Sequence, residues 1–128
     1  MTPRGPLRFG PISPAAPGPL YEQIVAAVKR EIAGGRLLPG APLPSVRALA
    51  AELLVSLITI KRAYEELERE GIIYSRQGLG TFVADSGADE IARGRREQAH
   101  QSMAQAVRDG RAAGLSDKDL IDWLKKEL

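Results

Sequence analysis

Hydroxyl and basic side chains occur at the predicted starts of two short helices. Ser56 precedes a segment with helical apolar spacing, and Thr59 follows three residues later. Hydroxyls and free backbone N–H groups at a helix start are suited to binding phosphate. Arg47 lies two residues after Ser45, another predicted helix cap, and can reach a phosphate or a guanine edge. The simpler alternatives are that Ser56 is purely a cap and that Arg47 is an ordinary surface arginine.

Charge is distributed unevenly along the second of these helices. Arg62, near its start, either binds phosphate or pairs with one of the glutamates that follow it. Those glutamates crowd the far end of the helix, where DNA would be repelled: Glu65, Glu66, Glu68 and Glu70. Any nucleic-acid contact is therefore expected at the N-terminal end of the helix.

A glycine-rich turn follows, between two short segments of β-branched and aromatic residues. Gly78 and Gly80 permit a tight hairpin tip whose backbone can approach a sugar-phosphate closely. Arg76 and Gln77 are polar arms beside that tip, and Gln77 is the better placed to reach a minor groove. Their alternative role is ordinary solvation of a hairpin.

Composition excludes several kinds of chemistry. The 128 residues contain no cysteine and a single histidine, His100, and the net charge of +2 leaves no segment strongly basic. Thiolate catalysis, zinc sites of the cysteine type and paired-histidine metal motifs are excluded, and we expect no enzyme activity, cofactor or metal. The sequence has no apolar run of membrane-spanning length and no signal-peptide pattern, which predicts a cytoplasmic protein.

Three segments with different patterns follow one another along the chain. Residues 1–18 contain five prolines and predict a disordered arm. Residues 19–84 predict one helix from Pro19 to Gly34, two short helices separated near Leu54, and a two-stranded hairpin. The break between the short helices indicates a helix-turn-helix, in which Ala50 allows close approach and the second helix projects its N-terminal turn outward.

The apolar pattern of residues 85–128 predicts a helical dimerisation tail. A polar hinge, "DSGADE", precedes a helix from about Asp89 to Asp109; Gly110 and Gly114 are expected to break it, and Ser116 with Asp119 resembles a capping box. Two helices cannot bury their own apolar surface without a third wall, so a second subunit is expected to cover it. The residues predicted to form this interface are Met103, Val107, Leu120, Trp123 and Leu124. We also expect a chain that stops at Ala84 to keep its fold but become monomeric.

The order of elements resembles the DNA-binding domain of the GntR family of bacterial transcription regulators. The residues that carry the resemblance are "PLYEQI" (Pro19–Ile24), "LPSVRALA" (Leu43–Ala50), "RAYEELEREG" (Arg62–Gly71) and "RQGLGTFVA" (Arg76–Ala84). The short tail is similar to that of the YtrA subfamily. The predicted fold is mainly α with a small β-hairpin: an N-terminal winged helix-turn-helix and a two-helix tail.

The resemblance implies a repressor that binds an inverted-repeat operator in double-stranded DNA as a homodimer. It also implies that Arg47 and Lys61 contact DNA, and by family analogy alone that the regulated genes encode a transporter. A small-molecule effector, of unknown identity, would need a pocket between subunits, because two helices are too few to enclose one.

The chain departs from the family pattern in the turn and in the recognition helix. Leu54 occupies a turn position where the family often has glycine. Leu57 and Ile58 occupy a helix start that is commonly polar or basic, and they cannot donate hydrogen bonds to bases. They either contact thymine methyl groups or pack inward. The alternative function is a winged-helix module that binds proteins without specific DNA binding.

Overall fold

The computed structural model describes residues 19–128; the predicted proline-rich arm lies outside the described residues. The fold is mainly helical with a small antiparallel sheet, as predicted. Its elements are α1 (Leu20–Ala33), β1 (Pro42–Leu43), α2 (Val46–Leu53), α3 (Leu57–Arg69), β2 (Ile73–Arg76), β3 (Gly80–Val83), α4 (Gly87–Ala112) and α5 (Asp117–Glu127).

Three helices and the sheet enclose one core in the first compact unit, which extends to Ala92. Pro19 precedes α1 in extended conformation, and Gly34 caps its C-terminus. The apolar residues at helical spacing point inward, and each fully buried aliphatic side chain stabilises the fold by about 1.5–3 kcal/mol. The largest are Ile24, Val28, Leu49, Ile60, Leu67, Ile72, Ile73 and Val83.

The turn between α2 and α3 begins at Leu54, whose backbone is left-handed at φ 57°. A left-handed residue other than glycine costs about 1–2 kcal/mol, which explains why glycine suits this position. The Leu54 side chain points into solvent, so its size is not opposed by neighbouring atoms. Ala50 is buried and Val55 packs against the core, as the predicted helix-turn-helix requires.

The predicted two-stranded hairpin is present as β2 and β3, but the sheet has a third strand, β1, that was not predicted. Its order is β1-β3-β2, and β1 pairs with β3 through Pro42 opposite Phe82 and Leu43 opposite Thr81. The sequence analysis assigned no strand to the segment before α2. A two-residue strand leaves little periodicity in a sequence, and proline is tolerated there because β1 is an edge strand.

Helix α4 is longer than predicted at both ends. It begins at Gly87, inside the expected hinge, and continues through Gly110, which was expected to break it. Its first turns belong to the first compact unit, because Ile91 is only 3% exposed and lies in the core cluster. The second compact unit comprises residues 93–128.

Gly110 is buried where α4 and α5 approach each other. A methyl group at this position would overlap the Leu120 side chain and lie 3.4 Å from Leu115 Cδ1. Gly110 therefore permits close helix packing.

The predicted capping box at the start of α5 is confirmed: Asp119 N donates to Ser116 Oγ and Ser116 N donates to Asp119 Oδ2, both at 3.1 Å.

The two glycines of α4 provide a matched test of this packing. Gly94 has open space around it, so Gly94→Ala should raise the free energy of unfolding by about 1 kcal/mol through helix propensity. Gly110→Ala gains the same propensity but forces Leu120 to move, and overpacking costs about 1–3 kcal/mol. We expect Gly110→Ala to be the less stable variant in urea unfolding followed by circular dichroism at fixed protein concentration. Equal stability of the two variants would contradict close packing at Gly110.

Candidate nucleic-acid interface

Helix α3 has one buried and one exposed face. Its inward residues are Ile60, Ala63, Tyr64 and Leu67. Its outward residues follow the same helical period and are exposed: Ile58, Lys61, Arg62 and Glu65. The exposed face therefore combines an aliphatic side chain and two cations in its first turns with a carboxylate one turn later.

The N-terminus of α3 is organised by two hydroxyls. Ser56 Oγ accepts a hydrogen bond from Thr59 N at 3.1 Å and lies 2.8 Å from Thr59 Oγ1. Ser56 is thus a helix cap, one of the two roles considered for it. Its position leaves the hydroxyl pair at the positive end of the helix dipole, where anions are favoured.

The start of α2 is fastened to α3 by a side chain that the sequence analysis did not single out. The Tyr64 hydroxyl donates a 2.7 Å hydrogen bond to the carbonyl of Pro44. Ser45 caps α2 by accepting from Ala48 N at 3.0 Å. Arg47 lies in the first turn of α2 and is exposed. The anchor at Pro44 therefore holds the Arg47 turn alongside α3.

Arg62 stacks on an aromatic ring of α1. Its guanidinium carbon lies 3.9 Å from the centre of the Tyr21 ring, a cation–π contact. Pairing with a glutamate, one of the two predicted alternatives, is not the observed arrangement. No spacing rule connects residues so far apart in sequence, so this contact could be found only from the packing of α1 on α3.

The acidic end of α3 is largely paired within the protein. Glu66 pairs with Arg69, Lys29 Nζ lies 2.8 Å from Glu70 Oε1, and Ser75 donates to Glu68 at 3.2 Å. A hydrogen bond with Glu70 and then one from Arg69 lower the pKa of Glu66. The carboxylate therefore stays ionised at neutral pH, and the C-terminal end of α3 remains unfavourable for phosphate.

The predicted wing is the hairpin of β2 and β3. Arg76 pairs with Gly80, and Leu79 N donates to Arg76 O at 2.9 Å, closing the turn. Gly78 has φ +78° and open space around it, so backbone conformation and not crowding requires glycine there.

The polar side chains of the wing lie beside this turn. Gln77 is exposed, and the guanidinium carbon of Arg76 lies 5.9 Å from the centre of the Tyr74 ring. Leu79, which the sequence analysis passed over, is 70% exposed at the tip.

Apolar side chains are exposed in the second compact unit. Trp123 is 58% exposed, and no residue of α5 is buried within the part of the chain that the structure describes. An open groove of about 410 Å³ is lined mainly by apolar residues: Met103, Ala106, Val107, Leu115, Leu120, Ile121, Trp123, Leu124 and Glu127. Each of the five residues predicted for dimerisation lines this groove.

The described residues contain neither a candidate metal site nor a candidate membrane-spanning helix. Between residues 19 and 128, no group of histidine, cysteine and acidic side chains could hold a metal ion. Over the same range, no helix is both long and apolar enough to cross a bilayer. His100 is exposed on α4.

A tightly joined helix pair, an exposed recognition helix and a glycine-tipped wing define a winged helix-turn-helix protein. The sequence model of the bacterial regulatory proteins of the gntR family matches residues 20–83. The chain belongs to the GntR family of DNA-binding transcription regulators, as the resemblance predicted. It is a regulator and not an enzyme.

Three similar proteins extend this assignment. The HTH-type transcriptional repressor YtrA of Bacillus subtilis (strain 168) is 35% identical over 115 residues, which cover 90% of this chain and 88% of that protein. A GntR family transcriptional regulator from Listeria monocytogenes has a TM-score of 0.62 at 34% identity, covering 86% of this chain and 96% of that one. AraR(DBD), in a crystal structure with operator ORX1, has a TM-score of 0.55 at 33% identity and covers 62% of this chain and 99% of that one.

Replacing the α3 cap with a carboxylate should separate folding from DNA binding. Aspartate caps helices about as well as serine, so Ser56→Asp should unfold at nearly the wild-type temperature. The new negative charge should lower affinity for operator DNA at least about tenfold if phosphate lies against this helix end. Thermal unfolding and fluorescence anisotropy measure the two effects.

The matched control is Ser116→Asp, which introduces the same charge at the cap of α5. We expect it to leave DNA affinity unchanged. Wild-type affinity in Ser56→Asp would show that the start of α3 does not face the phosphate backbone.

Proposed function

We propose that this protein is a cytoplasmic repressor that binds an inverted-repeat operator as a homodimer. The observation that carries the proposal is the charge arrangement on α3. Lys61 lies on its exposed N-terminal part and the Ser56–Thr59 hydroxyl pair lies at its cap, whereas the carboxylates at its other end pair with Lys29, Arg69 and Ser75. Such a helix favours phosphate at one end only.

Three elements of each subunit contact the operator: the start of α2, the first turns of α3 and the wing. The first turns of α3 enter a major groove about 12 Å wide, with Arg47 and Lys61 directed at base edges or phosphates. Arg62, stacked on Tyr21, supplies positive charge to the phosphate backbone from a fixed position. The wing, through Arg76, Gln77 and the backbone at Gly78 and Gly80, contacts the flanking DNA.

The second compact unit joins two copies of the chain. An 11-residue helix is marginally stable unless it packs on something, and α5 leaves Trp123 and Leu124 exposed in a single chain. A twofold partner covers this face with the same face of its own. The two recognition helices are then related by the same axis, which requires half-sites in inverted orientation. The similarity to a curated repressor that is nearly matched in length supports repression over activation.

A protein-binding module without DNA affinity is the competing function. Such a module would not require cations on the outward face of α3. Arg47, Lys61 and Arg62 are all exposed within or beside that face, which favours DNA.

The proposed contacts predict salt-dependent, specific binding. We expect affinity for an operator near the gene's own promoter to fall steeply with salt, because phosphate contacts release counterions. Arg47→Ala and Lys61→Ala should each weaken binding by about 1–3 kcal/mol where a base is read, with unchanged thermal stability. Lys118→Ala, which removes an exposed cation from α5, is the matched control. Equal affinity for operator and random duplex would refute specific regulation.

The tail predicts a dimer that a suitable truncation abolishes. The sequence placed the end of the DNA-binding domain at Ala84, but Ile91 is buried in its core, so the test chain ends after Ala92. We expect residues 1–92 to keep the winged fold and be monomeric, with affinity for the full operator lower by about 100-fold or more through lost bivalency. Multi-angle light scattering and anisotropy measure these outcomes. A stable dimer of residues 1–92 would place the interface elsewhere.

A further inference from the structure

The recognition helix begins with two aliphatic residues that remain in solvent. Ile58 is 79% exposed and Leu57 is 44% exposed. Inward packing, one of the two alternatives that the sequence left open, is therefore not what Ile58 does. An exposed isoleucine in the first turn of a DNA-reading helix adds nothing to the core and is free to contact a ligand.

Ile58 lies on the face of α3 that carries the cations. Lys61 and Arg62 follow it at three and four residues, so the three side chains project from one side of the helix. Thr59 points elsewhere, is partly buried, and has its hydroxyl 2.8 Å from Ser56 Oγ. A groove that admits Lys61 therefore meets the Ile58 side chain on the same face.

An aliphatic side chain can read one feature of the major groove. Base edges there present hydrogen-bond donors and acceptors, and the sole apolar group among the four bases is the C5-methyl of thymine. Burying a polar edge against isoleucine leaves that edge without a partner, which disfavours guanine, cytosine and adenine at the same place. Thymine is thus the base that the Ile58 side chain fits.

We infer that Ile58 determines operator specificity by contacting the 5-methyl group of a thymine in each half-site, with Leu57 at the edge of that contact. The inference rests on the proposed function, since it names a base read by the same helix. It assigns a role to a residue that carries no charge or hydrogen-bonding group.

The same aliphatic pair could instead meet another protein. The surroundings favour DNA, because Lys61 and Arg62 lie on the same face and Arg47 is held alongside by the Tyr64–Pro44 hydrogen bond. Cations beside an apolar contact match a groove bordered by phosphates. The experiment below includes protein association as an outcome.

Replacing thymine with deoxyuridine removes the methyl group and nothing else from the base. The operator is first selected from random duplexes with the wild-type full-length protein. Each thymine is then replaced by deoxyuridine symmetrically in both half-sites, and affinity is measured by anisotropy. At one position we expect affinity to fall about fourfold per methyl, or roughly 15-fold for the symmetric pair, because the burial of one apolar carbon group is lost with each methyl.

Ile58→Ala should bind the unmodified operator more weakly and respond to deoxyuridine at that position by less than about twofold, because the partner of the methyl group is gone. Leu38→Ala is the matched control. This variant removes the side chain of an exposed leucine that lies two residues before Gly40. The Gly40 N–H donates a hydrogen bond to the Val83 carbonyl, at the end of the hairpin away from the wing tip. Leu38→Ala should retain the wild-type response. Thermal unfolding should be nearly unchanged in both variants, since both side chains are exposed.

The possible results separate this inference from the proposed function. Specific binding without a deoxyuridine effect at any position, or an effect that Ile58→Ala retains in full, overturns the role of Ile58 and leaves the regulator intact. A change of oligomeric state in Ile58→Ala with an unchanged deoxyuridine response also overturns it, in favour of a protein contact. Failure of the wild type to select any sequence refutes the proposed function itself.

Discussion

The proposed DNA-facing surface depends on burial of the apolar faces of three short helices in one core. Ile24, Leu49 and Ile60 are fully buried, and none of these helices is long enough to be stable alone. Once Ile60 and Leu67 point inward, the helical period directs Ile58 and Lys61 outward. The composition of the recognition face is thus a consequence of core packing.

Two polar contacts add orientation to that packing. The Tyr64–Pro44 hydrogen bond joins the middle of α3 to the entry of α2, and the stack of Arg62 on Tyr21 joins α3 to α1. Both tie a residue of the recognition helix to a different element. A recognition helix anchored in this way loses little conformational entropy when it binds, so more of its contact energy appears as affinity.

The second unit solves a different packing problem. Gly110 lets α4 and α5 approach closely, yet this hairpin leaves Trp123 more than half exposed and an open apolar groove beside it. A helical hairpin has too little interior to bury its own large side chains. The symmetric pairing proposed above would cover these side chains with the same face of a second copy.

Local signals in the sequence determined much of this protein. Ser45, Ser56 and the Ser116–Asp119 box were identifiable as caps because a cap involves residues three positions apart, and the apolar periodicity identified α1, α2 and α3. The short motifs identified the family.

The tertiary structure decided strand β1, the length of α4 and the partner of Arg62. Each depends on which distant element packs against it: β3 for Pro42–Leu43, the core for Ile91, α5 for Gly110 and α1 for Arg62. Such contacts carry no spacing signature, because the free energy that selects them comes from burial between segments far apart in the chain.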